Sequence, residues 1–251
     1  MLHTQLRLDD WHGHRHYSIG IARSNSQVEA AQRLRYRVLT QEIGATMTAR
    51  VPGVDLDIYD PYCEHLIVLD EQLGTVVGTC RILTPEAEKK AGNRQADIDF
   101  DLTRLRHVRP SMVEVGRFCI HPDYRSSTVI ALLRSKIVEF MQGSGYRYLF
   151  SSAAIGMADG GHHAANLFVQ ELDAHLAPLE YRVFPRHPLP FERLVTGHKA
   201  KVPSLLKGWL RAGAWICGEP AWNPDFNTAD LPLLLPMERL KSRYAQQLQK
   251  V

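Results

Sequence analysis

Between Ser26 and Leu39, apolar side chains fall at Val28, Ala31, Leu34, Val38 and Leu39, the three-and-four spacing of one helix face. The stretch Ser26-Gln-Val-Glu29 at its start reads as a capping box, in which hydroxyl and carboxylate each satisfy a free N–H. A short β-like segment at 17–22 precedes this helix, and a loop over 44–62 follows it. His65-Leu-Ile-Val-Leu69 then reads as a strand, with Thr75–Leu83 as its hairpin partner across Leu73 and Gly74. Residues 85–110 are charged and irregular. Ser111–Ile120 reads as the central strand, and a helix from about Ser127 to Met141 carries Val129, Leu132, Leu133, Ile137, Phe140 and Met141 on one face. Gly143-Ser-Gly145 stops that helix. Strands at Tyr146–Ser151 and Glu180–Phe184 flank a helix over 160–176, whose Ala164, Leu167, Phe168 and Leu172 point inward. A helix over 204–216 and a strand at Leu231–Leu235 close the pattern. This order predicts a mixed α/β sheet with helices on both faces.

Prolines at 185, 188, 190 and 203 change the texture of the last third, but no low-complexity linker interrupts it. The reading is one domain over 17–251, with a C-terminal extension from 185 and a mobile arm over 1–16. At 45% hydrophobic and 23% charged residues the chain has the composition of a soluble globular protein. No run approaches the roughly 20 apolar residues that span a bilayer, and the N-terminus carries no continuous apolar signal core. A reducing cytosol is therefore the expected location. Cys63, Cys80, Cys119 and Cys217 form no CxxC pair, and His12-Gly-His-Arg-His16 reads as part of the polar arm, so no metal or disulfide is expected. Charge is the more informative property. Residues 181–218 hold seven cationic residues against Glu192 alone, a local +6 that leaves −3 on the remainder of a chain whose net charge is +3. The net charge is too small to argue for nucleic acid, whereas the local imbalance suits an acidic protein or an anionic membrane face.

The chemistry concentrates in Glu114-Val-Gly-Arg-Phe-Cys-Ile-His-Pro-Asp-Tyr-Arg125, read as strand, turn and helix start. A carboxylate in a buried strand is costly unless it is paired or protonated, which singles out Glu114 as a candidate base. Arg117 is its natural structural partner, yet residues three apart on a regular strand point to opposite faces. Either a β-bulge brings the two together or they do separate jobs. The acidic loop Asp55, Asp57 and Asp60 has two readings as well: it binds the ammonium groups of a basic substrate, or it fixes Arg35 and Arg81 by ion pairs. Helix 204–216, with Leu205, Leu206, Trp209, Leu210 and Ile216 largely on one side, either packs on the sheet or lies at a membrane interface.

Four local signatures carry a resemblance to the GNAT acyltransferases, in the branch of acyl-homoserine-lactone synthases and N-acyl amino acid synthases. They are Leu34-Arg-Tyr-Arg-Val-Leu39, Asp57-Ile-Tyr-Asp60, Gly78-Thr-Cys-Arg-Ile-Leu83 and Glu114-Val-Gly-Arg-Phe118. The tail Leu205-Leu-Lys-Gly-Trp-Leu-Arg-Ala-Gly-Ala214 with Asp225-Phe-Asn-Thr-Ala-Asp230 resembles bacterial ornithine N-alpha-acyltransferases rather than the lactone synthases. The resemblance runs from about residue 17 to 245. It implies a GNAT-like, mostly antiparallel sheet with helices on both faces. It also implies a 3-hydroxyacyl group on acyl carrier protein as donor and ornithine as acceptor, with lyso-ornithine lipid as product. Another acceptor (lysine, glutamine or glycine), a quorum-signal synthase using S-adenosylmethionine, and a non-catalytic carrier-binding or membrane-docking module are the rival readings.

By the same resemblance Glu114 and Arg117 are catalytic, while Arg35, Asp57, Asp60, Arg81 and Phe118 bind substrate. Arg81 and Arg117 are the guanidiniums suited to an acceptor carboxylate. A splay at the central strand frees N–H groups near Phe118–Ile120 for an oxyanion. The segment Arg125-Ser-Ser-Thr-Val-Ile130 departs from the acetyl-coenzyme A pattern, having no glycine to admit a diphosphate. A phosphopantetheine arm carries one phosphate, which Arg125, Ser126 and Ser127 suit. No tightly bound cofactor is expected, and the enzyme is expected in the cytoplasm or on the inner membrane face.

Overall fold

The computed structural model describes residues 8, 9, 16–46, 51–125 and 127–240. Most of the polar arm therefore lies outside the described residues. The chain order is β1 (Leu8–Asp9), β2 (His16–Ile21), α1 (Asn25–Val38), β3 (Glu64–Asp70), β4 (Thr75–Leu83), α2 (Pro85–Ala91), α3 (Ala96–Asp99), β5 (Phe100–Asp101), β6 (Met112–Ile120), α4 (Ser127–Ser144), β7 (Tyr148–Gly156), α5 (His162–His175), β8 (Phe184–Pro185), α6 (Phe191–Leu194), α7 (Ser204–Ala212), β9 (Trp215–Ile216), β10 (Ala221–Asn223) and β11 (Thr228–Pro236). Nine strands form one sheet in the order β1-β2-β3-β4-β6-β7-β11-β10, with β9 also on β11. Among the described residues, only β6 and β7 run parallel within it. The expected mixed, mostly antiparallel α/β fold with helices on both faces is what the chain adopts.

Alternation along the strands divides the core between the two faces. Val129, Leu132, Leu133 and Ile137 of α4 pack with Val68, Val77, Val113 and Val115 on one side. On the other side, Leu34 and Val38 of α1 pack with Cys119. The start of α1 lies two residues before the capping box expected at Ser26. Ser24 is the N-cap, accepting from the Gln27 N–H at 3.3 Å, while Gln27 Oε1 accepts from the Arg23 N–H at 2.7 Å. The same reciprocal logic applies, with glutamine in the place expected for Glu29.

Two expected elements are corrected. Glu180–Phe184 is no strand; Leu179–Tyr181 is a 3₁₀ turn and β8 has two residues, because Pro178 and Pro185 bracket too short a run. The helix expected over 204–216 stops at Ala212, where Gly213 adopts a φ of +114° and the chain turns into β9. β11 is longer than expected and buried along its whole length, despite Pro232 and Pro236. Pro232 is tolerated because it falls between the residues paired with β10 and those paired with β9, where no ladder N–H is required. Its carbonyl accepts from the Cys217 N–H at 2.8 Å across that interval.

Candidate active site

The parallel pairing of β6 with β7 is confined to Met112–Glu114 against Tyr148–Phe150. Beyond it β7 stays with β11 as far as Gly156, and β6 stays with β4 as far as Ile120. The two strands therefore part, and their facing edges beyond Val115 have no strand partner among the described residues. At the point of divergence β6 bulges: Gly116 to Cys119 oppose only Arg81 to Thr79, and Arg117 adopts a φ of +51°. The bulge resolves the alternatives left open for Glu114 and Arg117. Both line one cavity of about 190 Å³ in the opening, together with Phe118, yet each has its own partners.

Arg117 turns to the acidic loop. Its Nε meets Asp55 Oδ2 at 3.1 Å and its Nη2 meets Asp57 Oδ2 at 3.3 Å, and its guanidinium stacks 4.6 Å from the Phe226 ring centroid. Arg35 is fully buried and donates to Asp55 Oδ2 at 2.7 Å and Asp60 Oδ2 at 2.8 Å. Arg81 donates to Asp57 Oδ1 at 2.6 Å and Asp60 Oδ1 at 3.0 Å. Burial opposes ionisation of Asp60, but Arg35 and Arg81 hold its carboxyl far below the usual range. Three aspartates and three arginines thus close upon each other. Of these six, only Arg117 lines the cavity, so the ion-pair reading of Asp57 and Asp60 describes what their carboxylates touch. Arg125 is exposed ahead of α4 and lies outside the cavity lining. Ser126, and the side chain of Ser127, lie outside the described residues.

Glu114 accepts weakly from the Ala96 N–H, at 3.4 Å. Burial pushes its carboxyl above the ordinary range, with Arg94 and Arg81 pulling the other way. Two further carboxylates share the cavity, and neither was expected. Asp99 ends α3, in the stretch that reads as merely charged and irregular. Burial first, then Asp230 and Glu114, raise it to about 7. Asp230 lies in β11, also raised by burial, and is held by Thr228 Oγ1 at 2.9 Å and Asn223 Nδ2 at 3.3 Å. The signal that marks Glu114, a carboxylate set in an apolar strand, was present in Thr228-Ala-Asp-Leu231 as well. Asp99 has no comparable signal, because α3 is a single short turn. α7 turns its apolar face inward: Leu206, Trp209 and Leu210 are buried, and Leu205 and Leu206 reach the cavity. Among the described residues no helix is long and apolar enough to cross a membrane.

A half-buried carboxylate facing a cavity where two parallel strands part is an arrangement suited to acyl transfer to an amine. Comparison with known proteins agrees. Residues 34–135 match the family model described as an acetyltransferase (GNAT) domain. L-ornithine N(alpha)-acyltransferase of Brucella abortus (strain 2308) is 32% identical over 247 residues, covering 90% of this chain and 86% of that protein. The protein of the same name from Rhodobacter capsulatus is 28% identical, covering 92% and 93%. Among solved structures, the CoA-dependent acyl-homoserine lactone synthase BjaI with MTA aligns with a TM-score of 0.53 at 15% identity, covering 90% of this chain and 82% of that one. FeeM, an N-acyl amino acid synthase from uncultured soil microbes, aligns at 0.51 and 13% identity, covering 92% and 99%. These two likenesses concern the fold. With its splayed strands, the carboxylate between them and a relative 32% identical over nine-tenths of this chain, the protein belongs to the L-ornithine N(alpha)-acyltransferase family of GNAT-fold proteins.

Proposed function

We propose that this protein transfers a 3-hydroxy fatty acyl group from an acyl-carrier-protein thioester to the α-amine of ornithine, giving lyso-ornithine lipid. The observation that carries the proposal is Glu114, a half-buried carboxylate with a raised pKa lining the β6–β7 opening. A free α-amine has a pKa of about 7.7–8.0, so a modest base suffices to give it up as a nucleophile. The neutral nitrogen attacks the thioester carbonyl carbon, and the N–H proton passes to Glu114 directly or through one water. The C–N bond forms while charge collects on the carbonyl oxygen, against N–H groups of the unpaired β6 edge near Phe118–Ile120. Collapse breaks the C–S bond, and the leaving thiolate takes the proton back, so Glu114 returns to its ionised form.

Arg117, the one arginine in the lining, holds the acceptor carboxylate with N–H groups its aspartates do not use. Tyr124 is unsuited to protonate the thiolate, since its hydroxyl donates to Asp70 Oδ2 at 3.0 Å. The glycine-free start of α4 favours a single-phosphate phosphopantetheine arm over coenzyme A, with Arg125 beside it. The +6 charge of residues 181–218 suits an acidic carrier, and peripheral association with an anionic membrane is a secondary consequence of it.

The test is to incubate the purified protein with 3-hydroxyacyl-loaded carrier protein and the twenty amino acids plus ornithine, then to identify N-acylated products by mass spectrometry. Acyl-ornithine is expected. Acylation of a different amino acid would keep the chemistry and replace the acceptor, and equal turnover from the acyl-coenzyme A would replace the donor. No product from either donor would leave the non-catalytic binding module as the better reading.

A further inference from the structure

Charge balance around the cavity has a consequence for the acceptor. Asp55, Asp57 and Asp60 are offset by Arg35, Arg81 and Arg117. A second network balances Glu88 and Asp97 against Arg94 and Arg109. No ion pair among the described residues reaches the three lining carboxylates, Asp99, Glu114 and Asp230; the cation that acts on Asp99 and Asp230 is Arg117, which the acidic loop already engages. Among the described residues no hydrogen bond or ion pair reaches the Asp99 carboxylate, although its backbone carbonyl accepts from the Arg186 N–H at 2.8 Å. Asp230 is 7% exposed and is oriented by Thr228 and Asn223, two neutral groups that fix its carboxylate without neutralising it. One buried and two half-buried carboxylates facing one cavity favour a proton or a cation between them.

We infer that Asp99 and Asp230 together hold the second, side-chain ammonium of a diamino acid acceptor, and so choose both the substrate class and the nitrogen that reacts. This rests on the function proposed above and adds to it a subsite. An ornithine side-chain amine, with a pKa near that of lysine at about 10.4, arrives protonated and stays so between two carboxylates. In that state it is no nucleophile. The α-amine, with its lower pKa, is then the nitrogen left for Glu114, which lines the same cavity. The acidic loop cannot do this, because its carboxylates are already engaged by Arg35, Arg81 and Arg117. No bond forms or breaks at Asp99 or Asp230; they are positioning residues.

The experiment compares ornithine with norvaline, the same carbon chain lacking the terminal amine, for the wild type, Asp99→Asn and Asp230→Asn. The ratio of kcat/KM for ornithine over norvaline is expected to fall about 10- to 100-fold in either variant, chiefly through KM, as for the loss of a hydrogen bond to a charged group. A parallel readout needs no turnover: ornithine should raise the Tm of the wild type more than norvaline does, and Asp99→Asn should abolish the difference. Should the protein acylate nothing while this Asp99-dependent Tm difference persists, the subsite stands and the proposed reaction falls. An unchanged selectivity ratio in both variants, or equal Tm shifts from ornithine and norvaline, would overturn the subsite whatever the reaction.

Discussion

Replacing Glu114 by glutamine preserves shape and hydrogen-bonding reach but removes the proposed base, so kcat should fall about 10²- to 10⁴-fold with KM little changed. Thermal melting should show no loss of stability, because the native carboxylate has a raised pKa and gains little from its charge. Full turnover in this variant would place the base elsewhere. Arg35 is the opposite case. Fully buried and bonded to Asp55 and Asp60, it lies outside the cavity lining, yet Arg35→Ala should cost about 3–5 kcal/mol in denaturant unfolding by removing the guanidinium that two buried carboxylates share, leaving Asp55 with Arg117 alone and Asp60 with Arg81. These two residues mark how far side-chain chemistry was legible. Glu114 stood out because a lone carboxylate in an apolar strand is conspicuous, and a role for Arg35 in ordering the aspartates followed from opposite charges in a loop and a helix. Which carboxylates face the cavity was not legible. Asp60 and Asp99 look alike in sequence, and only the positions of Arg35 and Arg81, more than 20 residues away on either side of Asp60, withdraw the first from the cavity and leave the second in it.

Elements with a long hydrophobic period were read within a few residues of their bounds: α1, β3, β4, β6 and α4 each bury a continuous face, and burial overrides local detail. The short ones were not. β1, β8, β9 and β10 have two or three residues each, too few for any period, and exist because a neighbouring strand has an open edge. The bulge in β6 was foreseen only as one of two alternatives, since a φ of +51° at an arginine is imposed by its contacts and not by its own preference. Close approach of α4 to the sheet is likewise written at one position. A Cβ on Gly78 would stand 2.8 Å from Val129 Cγ1 and 3.3 Å from Leu133 Cδ1. Gly78→Ala should therefore lower unfolding free energy by about 1–3 kcal/mol through overpacking. In a double-mutant cycle, Val129→Ala should be less damaging in the Gly78→Ala background than alone, because it opens the space the new methyl needs. Strict additivity of the two changes would show that α4 does not press on β4 there.

At the scale of the whole molecule the two sets of carboxylates pull the pH dependence of stability in opposite directions. Asp60 is held far below its ordinary 3.8 by Arg35 and Arg81 against the effect of burial, so its contribution is present above that value and is lost as pH falls below it. Asp99 has the opposite sign. Raised from 3.8 to about 7 by burial and by the facing charges of Asp230 and Glu114, with Arg117 opposing, it favours folding fully below 3.8 and loses that contribution as pH rises through about 7. Glu114 and Asp230, also raised, act in the same sense. The stability of the unliganded protein should therefore decline at both ends, with its maximum on the acid side of neutrality. Melting curves across this range, for wild type and Asp99→Asn, separate the two causes. The asparagine variant should flatten the decline toward neutral pH and leave the acid limb intact, since the Arg35–Asp60 pair is untouched. Saturating ornithine should flatten the same limb in the wild type, because a bound ammonium offsets the ionised cavity without removing a carboxylate. A neutral-side decline that persists unchanged in Asp99→Asn would mean that the cavity carboxylates are not its source, and that the acidic lining is better solvated than its burial implies.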